Sequence, residues 1–109
     1  MTESEFLELA ERTLDAIEAA LDQATEDGTV DVECARSGNV LEVEFVDNGS
    51  KVIVNSQAPM QEIWVAARSG GFHFRHDGSR WLNTRDGTEL YQTLSRVVSE
   101  QGGAPVTLG

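Results

Sequence analysis

Ala24-Thr25-Glu26-Asp27-Gly28-Thr29-Val30-Asp31-Val32-Glu33-Cys34 is where the chain changes its period, and with it its structure. Before Gly28, the residues Phe6, Leu9, Ala10, Thr13, Ile17, Ala20, Leu21 and Ala24 recur at steps of three and four, which gathers them on one side of a helix. Thr2 followed by Glu5 forms a capping box that starts this helix, and Gly28 supplies the break that ends it near Glu26-Asp27. From Thr29 the step is two: Val30, Val32 and Cys34 alternate with Asp31 and Glu33, the pattern of a strand with one buried face.

The same alternation continues outward. After Ser37-Gly38-Asn39, Leu41, Val43 and Phe45 alternate with Glu42 and Glu44, and Asp47-Asn48-Gly49-Ser50 reads as a hairpin turn into a strand over 51–55. Further turns at Ser69-Gly70-Gly71, Asp77-Gly78-Ser79 and Arg85-Asp86-Gly87 set off strands over 62–67, 72–76 and 80–84. Pro59 falls in the loop before the fourth strand, where its missing N–H removes no ladder bond. A second helix is predicted from about Thr88 to Gln101, with Leu90, Leu94, Val97 and Val98 on one side and Gly102-Gly103 at its end. The expected fold is α+β. It is a single domain over 1–109, a two-layer sandwich whose N- and C-terminal helices cover one face of a five- to six-stranded antiparallel sheet and leave the other face open.

A length of 109 residues suits one domain and is too short for a roomy internal active site. The net charge of −11 is concentrated in the first third. Residues 1–35 hold Glu3, Glu5, Glu8, Glu11, Asp15, Glu18, Asp22, Glu26, Asp27, Asp31 and Glu33 against Arg12 alone, whereas the rest of the chain is nearly neutral. Such a field attracts cations and basic partners, and argues against nucleic acid and anionic membranes as ligands. Cys34 is the only cysteine, so neither an internal disulfide nor a thiolate-rich metal site is expected. No apolar run reaches membrane-spanning length and Met1-Thr2-Glu3-Ser4-Glu5 does not read as a leader, which makes the expected location the cytoplasm.

On the first helix the acids Glu8, Glu11, Asp15, Glu18, Asp22 and Glu26 recur on the side opposite the apolar stripe, and Asp27, Asp31 and Glu33 extend the row if the first strand lies beside the helix. Charged stripes are most often plain solvated faces, but those mix signs. Here five successive like-charged pairs repel with no lysine between them, at a cost of about 1 to 2 kcal/mol. That asks for a counter-ligand, and oxygen-only donors suit hard cations such as iron, manganese, calcium or magnesium, bound weakly where no wall encloses them.

Other candidates are weaker. In Ile63-Trp64-Val65-Ala66-Ala67 the alternation puts Ile63 and Val65 on one face and Trp64 with Ala66 on the other, and leaves either face available to the core. Trp81 reads as structural, His73 and His76 fall on opposite faces of one strand as surface residues, and Cys34 shares the parity of Val30 and Val32, as a buried inert thiol would. There is no nucleophile elbow, no P-loop and no paired-histidine metal motif, so the chain is expected not to be an enzyme.

The segment Asn55-Ser56-Gln57-Ala58-Pro59-Met60-Gln61-Glu62-Ile63-Trp64-Val65-Ala66, followed by Gly70-Gly71-Phe72-His73-Phe74, resembles the signature block of the frataxin family, in its bacterial branch. The likeness runs from Ser4-Glu5-Phe6 through Glu18, Leu21-Asp22 and Asp31-Val32-Glu33 to Trp81 and Arg85-Asp86-Gly87. It implies the same helix–sheet–helix sandwich. It further implies an iron-binding protein of iron–sulfur cluster assembly whose acidic ridge binds ferrous and ferric iron weakly at several sites. The ridge would dock on a basic region of the cysteine desulfurase, acting as an iron-dependent regulator, in this branch an inhibitor, or as an iron chaperone to the scaffold protein. By position, Glu18, Asp22, Asp27, Asp31 and Glu33 fall on the ridge, and Glu3, Glu11, Asp15 and Glu26 lie nearby or add to it, all but Glu3 being counted as metal ligands. Glu18 and Asp22 also face the partner, and Asn55, Gln57 and Trp64 form a second contact surface, which favours an exposed Trp64. Gln23, Thr25 and Thr29 are neutral where other bacterial members carry acids, and Leu7 stands where some carry histidine, so the ridge is displaced along the helix. The expected state is a monomer without iron. Two rivals remain: a metal-independent acidic module that occupies a basic site on an enzyme, and a ferroxidase working at paired carboxylates.

Overall fold

The computed structural model describes all 109 residues. Helix α1 (Glu3–Glu26) opens on the expected capping box: Glu5 N–H donates to Thr2 Oγ1 and Thr2 N–H donates to Glu5 Oε1. It closes at Asp27, with Gly28 at a φ of +77° that suits glycine. Six strands follow: β1 (Val32–Ser37), β2 (Val40–Phe45), β3 (Lys51–Gln57), β4 (Glu62–Ala67), β5 (Gly70–His76) and β6 (Trp81–Asn83). They pair in sequence order as an antiparallel meander, and helix α2 (Leu90–Gly102) follows β6.

The register makes the sheet two-sided. Val43 opposes Val52, Leu41 opposes Val54, Val54 opposes Val65 and Ile63 opposes Phe74, all buried, while the residues between them turn away from the core. Both helices cover the buried side: Phe6, Leu14, Ile17 and Leu21 from α1, and Leu90, Leu94, Val97 and Val98 from α2, join one core cluster with the inward strand residues. Trp81 seals its edge, with its indole N–H donating to Thr13 Oγ1 at 3.1 Å and Phe6 packed edge-on at 6.1 Å. The end of α2 is tied down by Gln101, whose amide donates to Ser50 Oγ and the Lys51 carbonyl and accepts from the Arg68 backbone N–H. Ser95 and Ser99, one turn apart on α2, bond the backbone of Leu108 and Val106 and so fasten the C-terminal segment over the core.

Several boundaries differ from the sequence reading, among them β3, which runs on to Gln57, and β5, which begins at Gly70. Strand β1 begins at Val32 and not Thr29, because Gly28 and Thr29 still donate back to Thr25 and Ala24 as the helix unwinds. Strand β6 is only three residues long, since the Asp77 carboxylate collects the N–H groups of Ser79 and Arg80 into a tight turn. Helix α2 starts at Leu90, because Asn83 N–H donates to the Thr88 carbonyl and Glu89, bridged to Leu82, serves as the N-cap for Tyr91.

Candidate functional site

Strand β1 lies at the sheet edge beside α1, so helix and strand present one acidic surface. Glu8, Glu11, Asp15, Asp22, Glu26, Asp27, Asp31 and Glu33 are exposed and Glu18 is half-buried. Glu33 points to the open side of the sheet, opposite the helix-facing Val32 and Cys34, so the surface wraps around the sheet edge. One cation does reach the row. Arg36, on the helix-facing side of β1, pairs with Asp15 and also donates to the Gly38 carbonyl. None of the other ridge acids has an ion-pair partner, although Gln23 donates to Asp27 at 3.0 Å. Nor are any three His, Cys, Asp or Glu side chains gathered as a closed metal cage would require, so the ridge offers open oxygen donors and no walled cavity.

Cys34 is half-buried against this row, less enclosed than its parity suggested because β1 is an edge strand. Burial, then the charges of Asp22 and Glu18, push its thiol up to about 12, so it stays protonated and inert at neutral pH.

The second surface is the open sheet face. With Ile63 and Val65 buried on the helix side, Trp64 stands on the open side, as does Asn55 opposite it and Gln57 next along β3. Trp64 is half-buried and not free in solvent: His73, its partner on β5, stacks on the indole at 4.3 Å between ring centres and 8° between planes. Gln57 donates its amide to Asn55 Oδ1 at 2.7 Å, leaving the Asn55 amide N–H groups and the Gln57 carbonyl for a partner.

Two residues here, Glu62 and Arg75, were not singled out from sequence. Glu62, two positions before Trp64 on the same face, has a side chain only 5% exposed. It accepts from the Trp64 indole N–H at 2.8 Å and from Arg75 Nε at 2.9 Å. Burial pushes its carboxyl up, but the hydrogen bonds from Trp64 and Arg75 and the charges of Arg75 and His73 outweigh this and hold it below the usual carboxylate range.

The fold is an antiparallel meander backed by two helices, an α+β sandwich with a carboxylate ridge at one edge and an aromatic-amide surface on the open sheet face. The Frataxin-like domain family matches residues 1–104. The chain is 68% identical over 108 residues, 99% of its length and 96% of the relative's, to the iron-sulfur cluster assembly protein CyaY of Janthinobacterium sp. (strain Marseille). It is 61% identical over 109 residues to the protein of that name in Cupriavidus necator, covering 100% of this chain and 97% of that one. Among solved structures it superposes on the frataxin from Psychromonas ingrahamii with a TM-score of 0.81 and 29% identity, over 98% of this chain and 97% of the other. It also superposes on trimeric frataxin from the yeast Saccharomyces cerevisiae, complexed with ferrous, with a TM-score of 0.72 and 26% identity over 86% and 85% of the two chains. The chain belongs to the frataxin family, in its bacterial CyaY branch.

Proposed function

We propose that this chain is an iron-binding protein of iron–sulfur cluster assembly that acts by binding, not by catalysis, in the cytoplasm. Its ridge, from Glu11, Asp15, Glu18, Asp22 and Glu26 to Asp27, Asp31 and Glu33, takes up ferrous or ferric iron weakly at several places. The same ridge, through Glu18 and Asp22, docks on a basic region of the cysteine desulfurase and slows cluster formation when iron is abundant. Asn55, Gln57 and Trp64 contact the scaffold protein, to which iron could pass. The observation that carries this reading is the row of ridge carboxylates of which Asp15 alone is ion-paired. Its repulsion is relieved by a bound cation or a basic partner. The relatives named for cluster assembly and the yeast frataxin complexed with ferrous support it. No helix is long and apolar enough to cross a membrane.

A second reading keeps the ridge and drops the metal: an acidic module that occupies a basic site on a partner enzyme. It is favoured by the lack of any gathered set of three ligands. Reconstituted cluster formation on the scaffold, run with the desulfurase and this chain at low and high ferrous iron, separates the two. Slowing that deepens with iron and disappears in Glu18→Gln/Asp22→Asn supports the first reading. Slowing that is abolished by salt and indifferent to iron supports the second.

A further inference from the structure

The open sheet face is electrically divided. Its β1–β2 half carries Glu33, Glu42 and Glu44, answered only by Lys51, which pairs with Glu42. Its β4–β5 half carries one acid, Glu62, and that acid is shut in under Trp64 and Arg75. Both Glu62 oxygens are engaged: Oε1 takes the Trp64 indole N–H and lies 3.7 Å from His73 Nδ1, while Oε2 takes Arg75 Nε–H. A carboxylate buried on the solvent side of a sheet needs such partners to stay ionised, and in return it fixes where they point.

Two consequences follow for the surface. The indole is held by a charge-assisted hydrogen bond at its edge and by the His73 ring on its face, so Trp64 loses little freedom when a partner covers it. Arg75 uses its inner Nε–H on Glu62, and no other protein group accepts from it. Its side chain is 62% exposed, so the outer edge of the guanidinium faces solvent with parallel N–H groups, the geometry that grips a carboxylate with two bonds. Beside it, Leu82 and Thr84 border a shallow hollow of about 410 Å³ with room for the stem of an incoming side chain; Asp77 also lines it, its Oδ1 taken up by the Ser79 and Arg80 backbone N–H groups.

We propose that the Glu62–Arg75 pair makes the β4–β5 part of the open face a preset docking site for a partner segment bearing a carboxylate: Glu62 holds Trp64 in its binding position, and the outer edge of Arg75 receives the acid. The inference rests on the reading that Trp64 contacts a protein of the assembly machinery, and adds the chemistry that this partner must offer. The protein then presents opposite preferences on its two faces, basic partners at the ridge and an acidic group at Arg75. One chain could thereby bridge two different surfaces of a complex.

The test is binding of the intact chain to the purified scaffold–desulfurase complex, measured for Trp64→Ala, Arg75→Gln and Arg75→Lys. The Trp64 indole N–H exchange rate is followed in each free protein that retains the indole. Arg75→Gln is expected to weaken binding about tenfold and to flatten its salt dependence, with Arg75→Lys restoring the salt dependence but only part of the affinity, because an ammonium cannot hold Glu62 and grip a carboxylate with two bonds at once. Glu62→Ala should speed exchange of the Trp64 indole N–H without moving that of Trp81, which bonds Thr13. If Trp64→Ala weakens binding while Arg75→Gln binds as the unaltered chain does, the carboxylate site is wrong and the sheet-face contact stands. If neither changes affinity, the sheet-face contact itself fails, and this inference with it. An indole N–H that exchanges equally fast with and without Glu62 would overturn the positioning role.

Discussion

Along α1, carboxylates stand three and four residues apart with one arginine reaching them, whereas on β4 and β5 a single carboxylate is closed in by an indole, a guanidinium and an imidazole. The ridge has many charges and one ion-pair partner, Arg36, and the β4–β5 part of the sheet face has one carboxylate with three neighbours. Unpartnered charge in solvent is adaptable, weak at each point and sensitive to salt. Partnered charge under an aromatic ring is fixed and tells one ligand from another by shape. The same sequence thus builds a surface suited to mobile cations or a basic protein, and a second suited to a defined contact.

The largest effect that would sharpen this contrast is at Cys34, which reports the ridge's field from within the fold. With its thiol pushed up to about 12, the reactive thiolate near pH 8 should be roughly a thousandfold scarcer than for an ordinary thiol at 9.0, which slows alkylation because only the thiolate reacts. Glu18→Gln/Asp22→Asn should bring the thiol down, while burial still holds it above 9.0. An unchanged ultraviolet thiolate titration in that variant would assign the whole shift to burial and leave the ridge a weaker field than argued.

Next in size is partner binding. The same double variant should lose about ten- to a hundredfold in affinity for the desulfurase at low salt, with the loss shrinking at high salt. Equal losses at both salt concentrations would mean that contact shape, not charge, governs the ridge.

Stability should move in opposite directions on the two surfaces. Neutralising Glu18 and Asp22 removes repulsion with Asp15 and Glu26 and with each other, and should stabilise the fold by about 0.5 to 1.5 kcal/mol in chemical denaturation. Glu62→Ala removes the acceptor of Trp64 and the partner of Arg75, both of which still reach water, and should destabilise by about 1 kcal/mol. Loss of stability at both places would break the comparison.

The smallest effect is with pH. The folded carboxyl of Glu62 is lowered, so its contribution is fully present above its unfolded value of 4.5 and lost as pH falls through the lower folded value. Asp77 behaves alike: backbone hydrogen bonds from Ser79 and Arg80 pull it to about 2, and its contribution fades between 3.8 and that value. Glu62→Gln should therefore show a shallower loss of stability below pH 4.5 than the unaltered chain.

Period and turn chemistry made most of the fold legible. The Thr2–Glu5 capping box, the break at Gly28 and the inward set Leu41, Val43 and Phe45 fall where local patterns put them, whereas the alternation over 63–67 left either face open and the fold turns Ile63 and Val65 inward. Pairing across strands was harder. Reading the β4–β5 turn at Ser69-Gly70-Gly71, one residue beyond the two-residue Arg68-Ser69 link, hides the register that sets Trp64 against His73 and Glu62 against Arg75. Glu62 shares the parity of Trp64, so its face was readable, but its burial depends on side chains from another strand. The Arg36–Asp15 pair escaped for the same reason, since it joins residues far apart in the chain.

The most direct test of the central claim, that metal belongs to the ridge and not to the sheet face, is an anaerobic ferrous iron titration of isotopically labelled protein at about physiological ionic strength. The account predicts selective broadening or shifts of backbone amides over 11–33, with the Trp64 indole signal unmoved. An undisturbed ridge, or iron effects centred on Trp64 and His73, would contradict it.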